Sequence, residues 1–180
     1  MWCILTAFFS FFSLFLYDLF QVRGSRVYTR LFSIIGYGGL FLSHFFLGVL
    51  CIPAAEADAA SIPAMVFGAV FLVLLFYSLF VEIPLKGTFE NRDERKVYTS
   101  GTYGLNRHPG FLWFALFQIC LMILFRRTEV YFFSSISVFL NFILILAEDL
   151  WLFPRIFTDY GEYKKKVPFL VPDFFGSRNE

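Results

Sequence analysis

The chain has 180 residues, of which 58% are hydrophobic and only 16% are charged, and its formal net charge is +1. Water-soluble domains carry about 25% charged and about 45–50% apolar residues, so this composition excludes an ordinary soluble domain. The small net charge gives no indication of nucleic-acid binding, and the length predicts a single membrane domain over residues 1–180.

Three apolar blocks in residues 1–82 are long enough to cross a bilayer as helices, which takes about 20 residues. The first has neither a basic leader nor a small-residue cleavage site, so we interpret it as a retained helix rather than a signal peptide. These three predicted N-terminal spans are Met1–Phe20, Leu31–Ile52 and Ile62–Val81.

Few polar side chains in these blocks are expected to be catalytic. His44 lies in the second block and is expected to bond to a neighbouring helix, and Glu82 is expected at the membrane interface. The cysteines stand singly in apolar sequence, which predicts small hydrophobic side chains and neither a disulfide framework nor a metal site. They are Cys3, Cys51 and Cys120.

Two further apolar blocks, Phe111–Phe125 and Tyr131–Ala147, are separated by only five residues. This spacing predicts a tight helical hairpin that is tilted or spans the bilayer incompletely. The fold class predicted from the sequence is therefore all-α, a polytopic membrane protein of about five transmembrane helices.

The basic residues of the connecting loops predict the orientation under the positive-inside rule. The first and third connections carry most of the bases, so we expect these loops and the C-terminal tail in the cytosol and the N-terminus outside. The bases used are Arg23, Arg26, Arg30, Lys86, Arg92, Arg95, Lys96, Arg107 and the three lysines Lys164, Lys165 and Lys166. Arg126 and Arg127 do not fit, because this orientation places them outside.

Two polar segments fall on the same predicted face of the membrane. In the first, Arg107 and His108 precede Pro109, a residue suited to a first helical turn, and such a helix start can bind a carboxylate. In the second, Glu148 and Asp149 follow an apolar block, and carboxylates at the edge of hydrocarbon indicate a site because they need partners. Purely structural interpretations also stand: an interfacial anchor, a solvated helix end and a lipid-facing basic patch.

The ordered set of motifs in residues 97–173 resembles the isoprenylcysteine carboxyl methyltransferases and their phospholipid-methyltransferase relatives. The set comprises Gly101-Thr-Tyr103, Arg107-His108-Pro109, an apolar hairpin, the pair Glu148-Asp149, and Tyr160-Gly-Glu-Tyr163-Lys-Lys-Lys-Val-Pro168 with Pro172. Residues 1–82 are similar only as generic membrane helices. The chain departs from the family pattern at Gly104, Phe111 and Asp149, where the family often has Arg, Tyr and Glu, and this leaves the acceptor open.

This resemblance implies a methyltransferase that binds S-adenosylmethionine in a cytosol-facing pocket of the C-terminal half and takes a lipophilic small-molecule or lipid-modified acceptor from the bilayer. The implied location is the plasma membrane in a bacterium or the endoplasmic reticulum in a eukaryote. The expected catalytic residues are Glu148 and Arg155, the latter orienting an acceptor carboxylate. The expected cofactor-binding residues are Tyr103, Arg107, His108, Pro109, Glu148, Asp149, Tyr160 and Tyr163.

Two other functions stay open on the sequence alone. Sterol reductases resemble the same family in their C-terminal domain, which suggests a membrane reductase that uses a nicotinamide cofactor, although those proteins are much longer. A non-enzymatic membrane scaffold that keeps the same shape is the second alternative.

Overall fold

The computed structural model of the protein describes residues 2–51, 58–82 and 96–171. These residues are almost entirely helical, and no strand occurs among them, which confirms the predicted all-α class. Some residues named from the sequence lie outside the described ranges, namely Met1, Ile52, Lys86, Arg92, Arg95 and Pro172.

Eight α-helices occur in the described residues, in the order α1 Trp2–Arg23, α2 Arg26–Cys51, α3 Ser61–Phe76, α4 Thr102–Leu105, α5 Pro109–Phe125, α6 Thr128–Ala147, α7 Phe153–Ile156 and α8 Tyr160–Lys166. Two π-helical segments extend the long helices: Tyr77–Glu82 continues α3, and Glu148–Leu152 joins α6 to α7. π-Helical turns are rare and occur frequently at functional sites. Both carry acidic residues here.

Four continuous helices are long and apolar enough to cross a membrane: Trp2–Arg23, Arg26–Cys51, Ser61–Glu82 and Thr128–Ile156. The fifth predicted span, α5, has 17 residues and would be about 25 Å long at 1.5 Å per residue, against about 30 Å of hydrocarbon. Most apolar side chains of α2 and α3 are exposed, as expected of helices that face lipid. The chain is therefore a multi-pass membrane protein by the length and composition of four helices.

Helices α1 and α2 form a closely packed antiparallel hairpin. Gly39 lies directly against the Ser10 side chain, and Gly36 against Leu14, so a Cβ atom at either glycine would collide with α1. Ser13 donates a hydrogen bond across the hairpin to the Phe32 carbonyl at 3.0 Å. Small residues at such contacts let membrane helices approach closely.

A buried polar network joins α2, α5 and α6. His44 Nδ1 lies 2.8 Å from the Leu40 carbonyl, so Nδ1 carries the proton and Nε2 is the acceptor. The Gln118 amide group donates to His44 Nε2 at 3.0 Å, and its oxygen accepts from the Ser134 hydroxyl at 3.2 Å. The predicted bond from His44 to a neighbouring helix is confirmed, and its role is structural.

The two arginines that disagree with the predicted orientation are both paired. Arg126 forms an ion pair with Asp58 at 2.7 Å, which ties the α5–α6 turn to the start of α3, and Arg127 pairs with Glu129 at 3.3 Å. Asp58 also accepts hydrogen bonds from the Ser61 backbone N–H and hydroxyl. These bonds and the nearby arginine lower the pKa of Asp58 to about 2.

Candidate functional site

The segment that precedes α5 is buried and held from two directions. The Arg107 backbone N–H donates to the Pro168 carbonyl at 2.9 Å, which brings the segment after α8 against it. Pro109 occupies the first turn of α5, where its missing N–H leaves no bond unmade. The His108 ring is only 5% exposed and packs between Phe153 and Phe169. An interfacial anchor would be exposed, so that interpretation is excluded for His108.

Asp149 is the point at which the polar segments meet. It lies in the second π-helical segment, is 4% exposed, and forms an ion pair with Arg107. Its carboxylate also contacts the Lys164 ammonium at 2.8 Å and accepts a hydrogen bond from the Tyr160 hydroxyl at 2.7 Å. Two cations and one hydroxyl therefore neutralise a single carboxylate.

Glu148 faces a different set of groups. Its carboxylate lies 3.5 Å from His108 Nδ1, and its side chain is 17% exposed. It is also hydrogen-bonded to the carboxyl group of Asp18, which comes from α1 and is 4% exposed. Carboxyl groups from α1 and from the end of α6 therefore lie side by side.

A third acidic residue anchors the segment that leads into the site. Glu82, 3% exposed at the end of the first π-helical segment, accepts hydrogen bonds from the Thr102 backbone N–H, at 2.9 Å, and from the Thr102 hydroxyl. Gly101 has φ +61°, and a Cβ atom there would collide with the Glu82 carboxylate. Glycine is therefore required at Gly101 both for its backbone conformation and for space. Glu82 is therefore buried against the Gly101–Thr102 turn, at the last residue of the candidate membrane span Ser61–Glu82.

Tyrosines connect α4 to α8 around this cluster. The Tyr163 hydroxyl donates to the Tyr103 carbonyl at 2.6 Å, and the Tyr103 hydroxyl donates to the Ser78 carbonyl at 3.2 Å. Burial raises the pKa of Tyr103 and of Tyr163 well above that of a free phenol. Burial, followed by the bond to Asp149, does the same to the pKa of Tyr160. All three hydroxyls therefore stay protonated and act as donors at neutral pH.

The protonation of His108 is set by opposing effects. Burial lowers the pKa of His108, but the nearby carboxylates of Asp149 and Glu148, 3.7 Å and 3.5 Å from its ring nitrogens, raise that pKa more, and the net pKa lies above the ordinary value of 6.5. The imidazolium form is therefore favoured near neutral pH.

The predicted meeting of the two polar segments is confirmed. His108 contacts Glu148, and Asp149 contacts Arg107, Tyr160 and Lys164. The solvated-end interpretation of the acidic pair is excluded by its burial.

Arg155 is not brought into the cluster. Its guanidinium packs over the Trp151 ring at 4.5 Å, and its side chain is exposed.

The sequence predicts a site formed by the C-terminal half, and the cluster also contains residues from the N-terminal helices. The structure adds Asp18 from α1 and Glu82 from the end of α3, together with Asn106, which is 1% exposed. A lone carboxylate inside an apolar span is costly unless partnered, so Asp18 could have been recognised as a site residue from the sequence.

An open depression of about 400 Å³ lies beside the cluster, within the size range of ligand pockets. It is lined by Thr99, Gly104, Asp159, Glu162, Tyr163, Lys166 and Val167. His108 and Glu148 do not line it, so it is not the cavity expected from the sequence. One side of Tyr163 therefore borders a solvent-open depression that is lined largely by polar residues.

Comparison of the chain with protein-family models, with curated proteins and with solved structures finds no match. The site must therefore be interpreted from its own chemistry.

Proposed function

We propose that the chain is an integral membrane methyltransferase that uses S-adenosylmethionine and acts on a lipophilic acceptor. The observation that carries this proposal is the meeting of Arg107 and His108 with Glu148 and Asp149 at the end of the membrane helices. S-adenosylmethionine carries a carboxylate, an ammonium and a sulfonium, so its site needs donors and acceptors together. The motif resemblance of residues 97–173 leads to the same cofactor.

Unsatisfied buried atoms in the cluster fit such a ligand. Asn106 Oδ1, Arg107 Nε and His108 Nε2 are buried and have no hydrogen-bond partner among the described residues. Buried polar groups are normally paired, so each one without a partner requires an explanation. Two of the three belong to cationic side chains, which suits a ligand carboxylate.

The charge balance supports a ligand with net positive charge. Among the described residues of the cluster, four carboxyl groups (Asp18, Glu82, Glu148 and Asp149) face two permanent cations (Arg107 and Lys164) and one histidine. Two positive groups against one carboxylate give S-adenosylmethionine a net charge of about +1, which would offset this acidic excess. The demethylated product has no sulfonium and would be held less strongly.

Each side chain then has a definite task. Arg107 and His108 hold the ligand carboxylate, and Glu148 holds its ammonium. Asp149, which is saturated by its own partners, positions Arg107 instead of contacting ligand. Pro109 fixes the start of α5, and Tyr103, Tyr160 and Tyr163 close the site. Arg155 would act on an acceptor only from the exposed face beside Trp151.

S-adenosylmethionine supplies an activated methyl group that a nucleophile displaces in line. The protein mainly has to position both reactants and exclude water. Holding two reactants in the right geometry lowers the reaction barrier by several kcal/mol, as fast intramolecular reactions show. Burial of His108 and Asp149 provides the excluded environment.

Calorimetric titration of S-adenosylmethionine and S-adenosylhomocysteine into the detergent-solubilised chain tests the proposal. Removing one partner of a buried charged bond costs about 2–5 kcal/mol, roughly a thirtyfold to several-thousandfold loss of affinity. Glu148→Gln and His108→Ala should each weaken binding by that range. Glu129→Gln, an exposed acid at the opposite end of the helices, should leave affinity unchanged.

The alternatives are distinguished by the same instrument. Saturable binding of a nicotinamide dinucleotide in place of S-adenosylmethionine would favour the reductase. Binding of neither by folded protein, across several detergents and added lipids, would favour the scaffold and refute the proposal.

A further inference from the structure

We propose that the turn between α1 and α2 is a binding surface for anionic phospholipid headgroups, formed by Arg23, Arg26 and Arg30. The bound lipid is a fixed neighbour of the α1–α2 hairpin and holds it at a set depth in the bilayer. This surface is separate from the cluster around Asp149, so the proposal does not depend on the proposed function and assigns no methyl acceptor.

The three arginines are exposed cations without a counter-charge. They lie at the end of α1 and in the first two turns of α2, and none of them forms an ion pair within residues 2–51, 58–82 and 96–171. Asp18, the acid nearest to them in the sequence, is buried and cannot compensate charges at the surface. An anion from outside the described chain is therefore needed to balance them.

The arginines at the opposite end of the helices have acidic partners. Arg126 pairs with Asp58 at 2.7 Å, and Arg127 pairs with Glu129 at 3.3 Å. Among its described residues, the chain thus supplies counter-charges to the arginines at one end of the bundle and none to those at the other. The two ends therefore differ in the charge that they present to the membrane surface.

The α1–α2 turn lies at the level of the membrane surface. Only Gly24 and Ser25 separate the two helices, so the turn cannot extend far from the bilayer. Val27, Tyr28 and Leu31, which lie among the arginines, are exposed, as expected of side chains that contact lipid. A phospholipid presents an anion and apolar chains at one place, whereas an acidic peptide would leave these side chains in water. The lipid is therefore the partner that fits.

Aromatic packing fixes the shape of this turn. Phe20 of α1 packs against Tyr28 and Phe32 of α2, with ring centroids 4.9 Å and 5.4 Å apart. The Arg23 guanidinium lies 5.8 Å from the centroid of the Phe20 ring, and Gly24 closes the turn with φ +71°. Bases on a rigid support lose less conformational entropy when they bind an anion.

The spacing of Arg26 and Arg30 suits a phosphate group. The two residues are four positions apart, so they lie on one face of α2, where like charges repel each other. A phosphate between them would remove this repulsion, and each guanidinium can donate two parallel N–H bonds to phosphate oxygens. A headgroup with net negative charge fits better than a zwitterionic one, because no acid among the described residues of this turn would bind the ammonium group.

Native mass spectrometry of the full chain, titrated in detergent micelles with dioleoylphosphatidylglycerol or dioleoylphosphatidylcholine, tests this proposal. The two lipids have the same acyl chains and differ in headgroup charge. Each base near a membrane surface strengthens the binding of anionic lipid by roughly fivefold, so phosphatidylglycerol should bind at least roughly tenfold more tightly. In the triple variant Arg23→Gln, Arg26→Gln and Arg30→Gln, the two affinities should agree within about twofold.

The double variant Arg126→Gln and Arg127→Gln is the matched control, because it removes arginines that have acidic partners. It should keep the full preference for phosphatidylglycerol. Loss of the preference in this control, its survival in the triple variant, or equal wild-type affinities for the two lipids would overturn the proposal.

Two measurements on wild type decide the matter even if the triple variant does not fold. The preference should fall by at least about threefold when ammonium acetate is raised from about 0.05 M to about 0.5 M, because salt screens exposed charges. An unchanged preference would overturn the proposal. Displacement of phosphatidylglycerol by an equal concentration of glycerol phosphate would overturn it too, since the surface would then bind soluble anions rather than lipid.

Discussion

Replacing Asp149 by asparagine should show that Asp149 mainly stabilises the fold, whereas Glu148 mainly binds ligand. Asp149 accepts from the Tyr160 hydroxyl at 2.7 Å, contacts the Lys164 ammonium at 2.8 Å and pairs with Arg107. Asparagine has nearly the same shape, so the substitution removes charge and leaves packing in place.

The size of the effect follows from the burial of the groups left behind. The Arg107 side chain is 12% exposed and Asp149 is 4% exposed, so the guanidinium would lose its counter-charge without gaining water. Removing one member of a buried ion pair costs about 3–5 kcal/mol. Lys164 is 32% exposed and can turn to solvent, so it adds little. We expect Asp149→Asn to lower the free energy of unfolding by about 3–5 kcal/mol.

Equilibrium unfolding in mixed micelles with increasing sodium dodecyl sulfate, followed by far-ultraviolet circular dichroism, measures this loss. Arg107→Met in the Asp149→Asn background should recover part of it, because the orphaned charge is then gone. Glu148→Gln should change the free energy of unfolding far less while weakening cofactor binding more. Equal destabilisation by Glu148→Gln and Asp149→Asn would refute this division between the two acids.

Two further predictions concern the membrane core and pH. Gln118→Leu keeps the side-chain volume but removes the hydrogen bonds of Gln118 to His44 Nε2 and the Ser134 hydroxyl, so it should lower the free energy of unfolding by about 1–2 kcal/mol. Adding His44→Leu should restore part of that loss. No change in the unfolding midpoint of Gln118→Leu would refute the structural role of the network. Because the pKa of His108 is raised in the folded protein, the stabilisation by its charged form is complete below about pH 6.5 and is lost as pH rises through the raised pKa. The free energy of unfolding should therefore fall more between about pH 6 and pH 9 for wild type than for His108→Gln. Parallel pH profiles of the two proteins would contradict this.

The membrane helices were predictable because lipid imposes a simple rule on sequence. Each long helix satisfies its backbone hydrogen bonds internally and presents an apolar surface to lipid, so all described residues of the predicted span Leu31–Ile52 lie in α2, Arg26–Cys51. The fourth long helix was not predicted to its full length, since it continues from α6 through a π-helical segment to Ile156. Hydropathy ends at Glu148 and Asp149, whereas the backbone helix continues because these carboxyl groups are buried and partnered.

Only those parts of the site that form a motif of neighbouring residues could be predicted from the sequence. His108 and Pro109 mark a helix start, and the Glu148–Asp149 pair marks a polar helix end, so both polar segments were found. Which acid pairs with which base depends on helix rotation and on a long-range contact from α8. The sequence marks Asp18 as a carboxylate inside an apolar span, but its partner depends on the packing of α1 against the end of α6, which no local pattern encodes.

Adjacency in sequence is what gives Glu148 and Asp149 different tasks. Consecutive residues point in different directions around a helix, so the two carboxylates face largely different partners and share only His108 among the bases of the described cluster. Asp149 faces α8 and Arg107, where cations saturate it, while Glu148 faces α1 and His108, where compensation is incomplete. The π-helical segment from Glu148 to Leu152 sets the directions of these two side chains. A single helix end thus supplies one acid that anchors the protein's own bases and one acid that these bases compensate less completely, and the second is the one we propose for ligand binding.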